Sequence, residues 1–360
     1  MRCRTTPMRA LTVAFILFAS AASAQVAQQE TVDGESAQVD GATAQRQSSL
    51  PEINLKGPTE VPPATLPEGT KPDADYIYGI FQRGWYLTAL GLATPLAESG
   101  DAAAQTLLGV LHETGLGIQQ DKTKAAEWYK LAATAGDPGA AMQLAQFYLL
   151  GTGVPKDKKK AADLFEIAAN DGNPSALYNL ALIYQEGEGR TYNEAKAREL
   201  LEQAANRNDA EAQYALGLSF IEGIGGLTDP AKGAFWLGRA ARRGHTSAQI
   251  YYGILRFQGK GVEPNEAEAA DWFERAATAG NPVAMNRLAR VYAYGRGREL
   301  DPVAAAKWHY IARSLGVSDL QLDGFVESLD EESRLEAHKK AEQFTATLIP
   351  QTEDQARHSP

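Results

Sequence analysis

Cysteine is almost missing from this sequence: the 360-residue chain has one, Cys3. A lone thiol closes no intrachain disulfide, so no covalent staple is available to the fold. Histidine is scarce as well, with five residues, at 112, 245, 309, 338 and 358. None is spaced i,i+3 or i,i+4 from another, which argues against a helical metal pair. No metal site and no cofactor are expected. His112 and His309 read as core or half-buried aromatics. Positive charge is in deficit, with Lys+Arg 35 against Asp+Glu 45 and a net charge of -10. An acidic chain of this kind is a poor ligand for nucleic acid. The sequence also has no Gly-x-Ser-x-Gly elbow, no Ser-x-x-Lys pair and no phosphate loop closing on Gly-Lys-Ser/Thr. No catalytic set is visible, and the expectation is a protein that is not an enzyme.

Long apolar runs are missing beyond the first residues. The one such run, Ala10 to about Ala22, follows Arg2, Arg4 and Arg9 and leads into Ala22-Ser23-Ala24. Positive, apolar and small-residue zones in that order make a secretory leader over residues 1–24. The run is too short to span a bilayer as a helix. Cleavage would remove Cys3 and three arginines, giving a mature charge of -10 - 3 = -13 and a chain that starts at Gln25. The expected location is periplasmic or secreted, with no transmembrane segment after cleavage. Residues 25–73 are rich in Gln, Ala, Ser and Thr, and are punctuated by Pro51, Pro58, Pro62, Pro63, Pro67 and Pro72. They read as a disordered tether.

What the sequence does have is a repeat. Gly100, Gly136, Gly172, Asn208, Gly244, Gly280 and Gly316 are spaced 36 residues apart, with no insertion between them. Counting from each anchor, Ala stands at +4 in every copy and Gly or Ala at +9. Gly stands at +15 and +17, from Gly115 and Gly117 to Gly295 and Gly297. Ala125, Trp128 and Ala132, with their equivalents, fill +25, +28 and +32. The +4, +8 and +12 positions share one helical face, as do +25, +28, +29 and +32. Each copy is therefore two amphipathic helices, A and B. The small +9 residue lets the two backbones approach. Gly at +15 ends helix A, where a left-handed conformation is needed. Asp or Asn at +21 (Asp121, Asp157, Asn193, Asp229, Asn265, Asp301) is an N-cap for helix B.

The pattern Ala-x-x-x-Leu-Gly-x-x-Tyr-x-x-Gly-x-Gly-Val, followed by Asp-x-x-x-Ala-x-x-Trp-Tyr-x-x-Ala-Ala, resembles the Sel1-like repeat, a relative of the tetratricopeptide repeat. The resemblance implies an all-α, right-handed α-α superhelical solenoid of six helix pairs over residues 99–314. A leading hairpin is expected at 74–98, capping helices at 315–346 and a flexible tail at 347–360. Arg256 departs from the pattern, standing at +12 where an aromatic is usual, with Phe257 beside it.

By analogy with tetratricopeptide stacks, +6, +7, +10, +13 and +14 of helix A would line a concave groove. The residues chosen there as partner-binding are Met142, Tyr178, Asn179, Gln185, Tyr214, Tyr251, Phe257, Arg287 and Tyr294. Tyr, Met and Arg are common interface anchors. The resemblance implies a scaffold or adaptor for protein–protein interaction. Exported relatives of this kind suggest a periplasmic regulator, with another protein or peptide of the cell envelope as its partner. The rival expectation is an enzyme acting on peptidoglycan or β-lactams, which would need a nucleophile or carboxylate pair in the groove, such as Glu186 or Glu222. The run Lys156 to Lys160 reads as a solvated loop, and the arginines of the last two repeats read equally as scattered surface charge or as a patch facing an acidic partner.

Overall fold

A computed structural model describes residues 72–348. The leader, the tether up to residue 71 and the tail from 349 lie outside the described residues. The chain divides into a segment Met1–Thr59 and a unit Glu60–Pro360, and every described helix belongs to the latter. Among the described residues there are only helices, turns and bends, and no strand. The leading hairpin is α1 (Ala74–Gln82) and α2 (Tyr86–Glu98). Three helix pairs follow: α3 (Ala102–Thr114) with α4 (Lys122–Thr134), α5 (Pro138–Leu150) with α6 (Lys158–Asn170), and α7 (Pro174–Glu186) with α8 (Glu194–Asn206). Three more are α9 (Ala210–Glu222) with α10 (Pro230–Arg242), α11 (Thr246–Gln258) with α12 (Glu266–Thr278), and α13 (Pro282–Tyr294) with α14 (Pro302–Ser314). The last two helices are α15 (Leu320–Glu327) and α16 (Glu331–Leu348). Each A helix packs on its own B, and each B packs on the next A, so the pairs stack as a solenoid.

Local chemistry sets the helix ends. The six +21 residues accept hydrogen bonds from first-turn N–H groups of the B helices, as the spacing predicts. The A helices are capped by Asp101, Asp137, Asn173, Asp209 and Asn281, and in one copy by a histidine. His245 accepts from the Ala248 N–H through Nδ1 at 3.1 Å. Histidine is outside the usual N-cap set, so the pattern did not mark it. Every A helix ends on a left-handed glycine, with φ between 61° at Gly295 and 78° at Gly151.

Between the two helices of a pair the core is built from alanine. Ala140, Ala176, Ala212, Ala248 and Ala284 at +4 are all 0% exposed. The small +9 residue has a more specific purpose than general closeness. A Cβ on Gly217 would stand 2.6 Å from the Leu237 side chain, and one on Gly253 would stand 2.7 Å from the Phe273 ring. The +9 position is hollow because the large +29 side chain of helix B fills the space above it. At Arg256 the missing +12 aromatic is replaced by an ion pair with Glu268 on α12.

Between repeats the contact is backbone to backbone. A Cβ on Gly153, Gly189, Gly225, Gly261 or Gly297 would strike the main chain of Lys122, Lys158, Glu194, Pro230 or Glu266 in turn. Each of these is the first residue of the preceding B helix. At Gly189 the gap to the Lys158 carbonyl would be 2.6 Å. The +17 glycine is thus the seam between neighbouring copies. Buried glutamines add to the seam. Gln105, Gln213 and Gln249 each donate from Nε2 to a carbonyl of the preceding B helix, at Ala97, Ala205 and Ala241.

The far end is closed by α15 and α16. Trp308 of α14 meets Phe344 edge-on at 4.9 Å. Asp319 caps α15 through the Gln321 and Leu322 N–H groups. Its other oxygen accepts from Arg290 Nε at 2.7 Å and Asn286 Nδ2 at 3.0 Å, both on α13. Burial works against the charge on Asp319, but the bonds from Arg290, Asn286 and the Leu322 N–H outweigh it and hold the carboxyl below its ordinary value.

Two outcomes follow. Gly244→Ala, where φ is +90° and the space is open, should cost about 1–2 kcal/mol for the left-handed backbone alone. Gly261→Ala must also push back the Pro230 carbonyl, and should cost about 1–3 kcal/mol more in urea unfolding. Equal losses would refute the seam. The Asp319 contribution is fully present above about pH 4, the ordinary Asp value, and fades as pH falls through the lower folded value. Asp319→Asn should therefore lower the melting temperature at neutral pH and flatten its fall below about pH 4.

Candidate functional site

The A helices stand side by side, and side-chain contacts link each to the next. Tyr178 of α7 lies in the field of Glu211 and Asp209 at the start of α9. Tyr214 of α9 stacks on His245, the cap of α11, with ring centroids 4.4 Å apart, and meets Tyr251 at 5.9 Å. Asn286 of α13 bonds Asp319 at the start of α15. Tyr178, Tyr214 and Asn286 all occupy +6. That position therefore faces the neighbouring A helix rather than open solvent, whereas +7 and +14 lie further around the helix.

This division sorts the nine residues predicted from the sequence. Met142 is a correction: it is 8% exposed and belongs to the core around Phe165 and Leu177. Tyr178 and Tyr214 are half-buried at the seam, and burial, chiefly, pushes both phenols above the ordinary tyrosine value. Asn179 spends its amide on the Ser175 carbonyl of its own helix, at 2.8 Å. Gln185 is half-buried. Tyr251 and Tyr294 are open, at 41% and 49% exposure, and Arg287 is exposed as well. Phe257 is half-buried under the Arg296 guanidinium, 4.2 Å above its ring.

His245 is held through both ring nitrogens. Its Nδ1 accepts from Ala248 N–H, so Nε2 carries the proton and donates to Glu211 at 3.1 Å. That bond, opposed by burial, holds the Glu211 carboxyl below its ordinary value. The lone pair on Nδ1 is thus engaged by a backbone donor. The arrangement joins α9 to α11.

Phe257, Arg287 and Tyr294 come together around a cavity of about 280 Å3 between α11 and α13. The sequence reading missed its other walls. Ile254 and Arg290, at +10, and Val291 line it, with Phe273 below and Arg296 on the loop. Position +10 was a predicted groove position. Phe273 and Val291 could not be found by a pattern that treats core and groove as separate faces.

The charge clusters are largely paired. Lys158 bridges Glu186 at 2.7 Å and Glu188 at 2.6 Å, so one of the two carboxylates considered for catalysis is held by a lysine. Arg190 reaches Asp163 and Glu166, and Arg298 reaches Asp271 and Glu274, each across a repeat boundary. Arg296 pairs with Glu266, and Arg290 with Asp319. Arg287 has no hydrogen-bond or ion-pair partner among the described residues. Those residues contain no cluster of three His, Cys, Asp or Glu able to hold a metal, and no helix long and apolar enough to cross a membrane.

Packing and display should separate in mutants. Tyr214→Ala removes a stacked seam residue and should cost about 2 kcal/mol, short of the roughly 3–5 kcal/mol of a fully buried aromatic. Tyr251→Ala should cost about 1 kcal/mol or less. Denaturant unfolding of the two variants decides between them, and the reverse order would contradict the assignment of +6 to the seam.

The Sel1 repeat family profile matches residues 102–137, 138–173, 174–209, 210–245, 246–281 and 282–317. No curated protein matches the chain. Among solved structures, a Sel1 repeat protein from Oxalobacter formigenes is similar at 26% identity and a TM-score of 0.59, over 68% of this chain and 98% of that one. The protective antigen c5321 from uropathogenic Escherichia coli strains, which displays an SLR fold, is similar at 25% identity and a TM-score of 0.53. That match spans 77% of this chain and 70% of the antigen. Sel1 repeats form scaffolds that mediate protein–protein binding and are generally not catalytic. With six matched repeats filling more than half of its length, and with the helix pairs, caps and glycine seam described above, this chain belongs to the Sel1 repeat family.

Proposed function

We propose that this protein is an exported adaptor of the cell envelope, periplasmic or secreted, which binds a protein or peptide partner along the exposed edge of its A helices. The observation that carries the reading is the display of Tyr251, Arg287 and Tyr294 on a rigid repeat frame. Large aromatic and arginine side chains are the usual anchors of protein interfaces, and a fixed scaffold limits the entropy lost on binding. Export rests on the leader pattern over residues 1–24. A regulator that contacts an envelope sensor or assembly fits both features. Glu186 is committed to Lys158, which also holds Glu188, so that neither carboxylate is free to act as the nucleophile or base that the hydrolytic alternative needs.

The test is in-cell crosslinking from a photoreactive residue at Tyr251, with a second probe at Leu227, which is 90% exposed on a loop, as control. The expected result is a discrete protein adduct from Tyr251 that Leu227 does not give. If Leu227 labels proteins and Tyr251 labels none, the interaction face is wrong. Mass spectrometry of the protein recovered from the periplasm or medium should show a chain beginning at Gln25. An intact N-terminus in the cytoplasm would overturn export.

A further inference from the structure

The groove between α11 and α13 combines a fixed apolar floor with one uncommitted cation. Ile254, Phe257 and Val291 line its floor and side. Three arginines line it as well, and two are already spoken for. Arg290 is tied to Asp319 at 2.7 Å and to Gln321 at 3.2 Å. Arg296 pairs with Glu266 and lies 4.2 Å above the Phe257 ring. Those pairs hold the walls in place before any ligand arrives. Arg287 is exposed, lies one helical turn from both Arg290 and Val291, and has no partner among the described residues. In a chain of net charge -10, this is a local excess of positive charge beside an apolar hollow.

We propose that this groove binds an acidic-apolar peptide segment, with an Asp or Glu carboxylate on Arg287 and a neighbouring aliphatic or aromatic side chain seated over Ile254, Phe257 and Val291. The proposal rests on the adaptor reading and specifies the partner's chemistry. Several features select that occupant. A guanidinium with all its donors free matches a carboxylate bidentately. The volume, about 280 Å3, falls just short of the 300–1,000 Å3 typical of drug-sized ligands, and suits one or two side chains. Nucleic acid would need a continuous basic track, whereas Glu266 and Asp319 neutralise the flanking arginines. Tyr294, which also lines the groove and is 49% exposed, offers a further aromatic contact for a passing backbone.

The experiment is selection of random twelve-residue peptides displayed on phage, panned against the purified full chain and in parallel against Arg287→Glu. Enriched peptides should carry Asp or Glu next to a large apolar residue. A synthetic peptide of the enriched sequence should bind Arg287→Glu roughly tenfold or more weakly, with the difference shrinking as salt is raised. Changing its acid to Lys should restore binding to Arg287→Glu, which a merely structural effect would not do. The melting temperature of the exposed-site variant should stay at the parent value. Enriched peptides without an acid, or equal binding to both chains, would overturn the proposal. Loss of those same peptides in Tyr251→Ala would then leave the adaptor reading standing with a different site. Failure to enrich any peptide also overturns the proposal, while the adaptor reading is decided separately by the adducts formed from Tyr251.

Discussion

Everything in this solenoid depends on one close approach: the +17 glycine of each repeat resting on the first-turn main chain of the preceding B helix. A side chain there would hold neighbouring copies apart, and the apolar faces between them could not close. The contact also accounts for the strict 36-residue register. It joins two backbone points, so an added or missing residue between them would lift the seam. In stacked repeats stability comes from neighbour contacts rather than from one central core. The core of this unit is accordingly a chain of local clusters, each made by adjacent helices.

Charge is used in the same neighbour-to-neighbour way. Arg190, Arg298 and Lys158 each reach acids in the adjacent copy. Such exposed pairs add little stability one by one. Their consequence is that most of the cations near the groove are balanced inside the protein, so that an unpaired arginine becomes informative. Arg287 stands out against that background, next to the aromatic side chains that the A helices leave open.

The ends of the stack need separate treatment because an outermost repeat has no neighbour. At the C-terminal end, Asp319 does what the next A-helix cap would do, and adds bonds from Arg290 and Asn286. His309 occupies the +29 core position of the last repeat and bonds Asp323 of α15 at 2.8 Å, where earlier copies place Tyr, Phe or Leu. The core position is thus kept, and its chemistry is adapted to a polar neighbour.

The helix pairs, their caps and their glycine stops are all local events. They follow from residues three or four apart and from the backbone freedom of single positions, so the sequence alone determined them, the His245 cap excepted. The +9 hollow and the +17 seam were visible as invariant small residues, but their purpose was not, since the atoms they make room for lie 20 or 31 residues earlier or later. The interaction face was half legible. Of the residues picked for it, Tyr251, Arg287 and Tyr294 are open and Phe257 lines the α11–α13 groove, whereas Met142 is buried. Positions +6 and +7 differ by about 100° around one helix. Only the stacking of the next A helix decides that +6 is covered while +7 is open at Tyr251 and Arg287. The tertiary structure alone likewise brought Phe273 and Val291 under the groove and left Arg287 without a partner, because pairing and burial are properties of neighbours far apart in the chain.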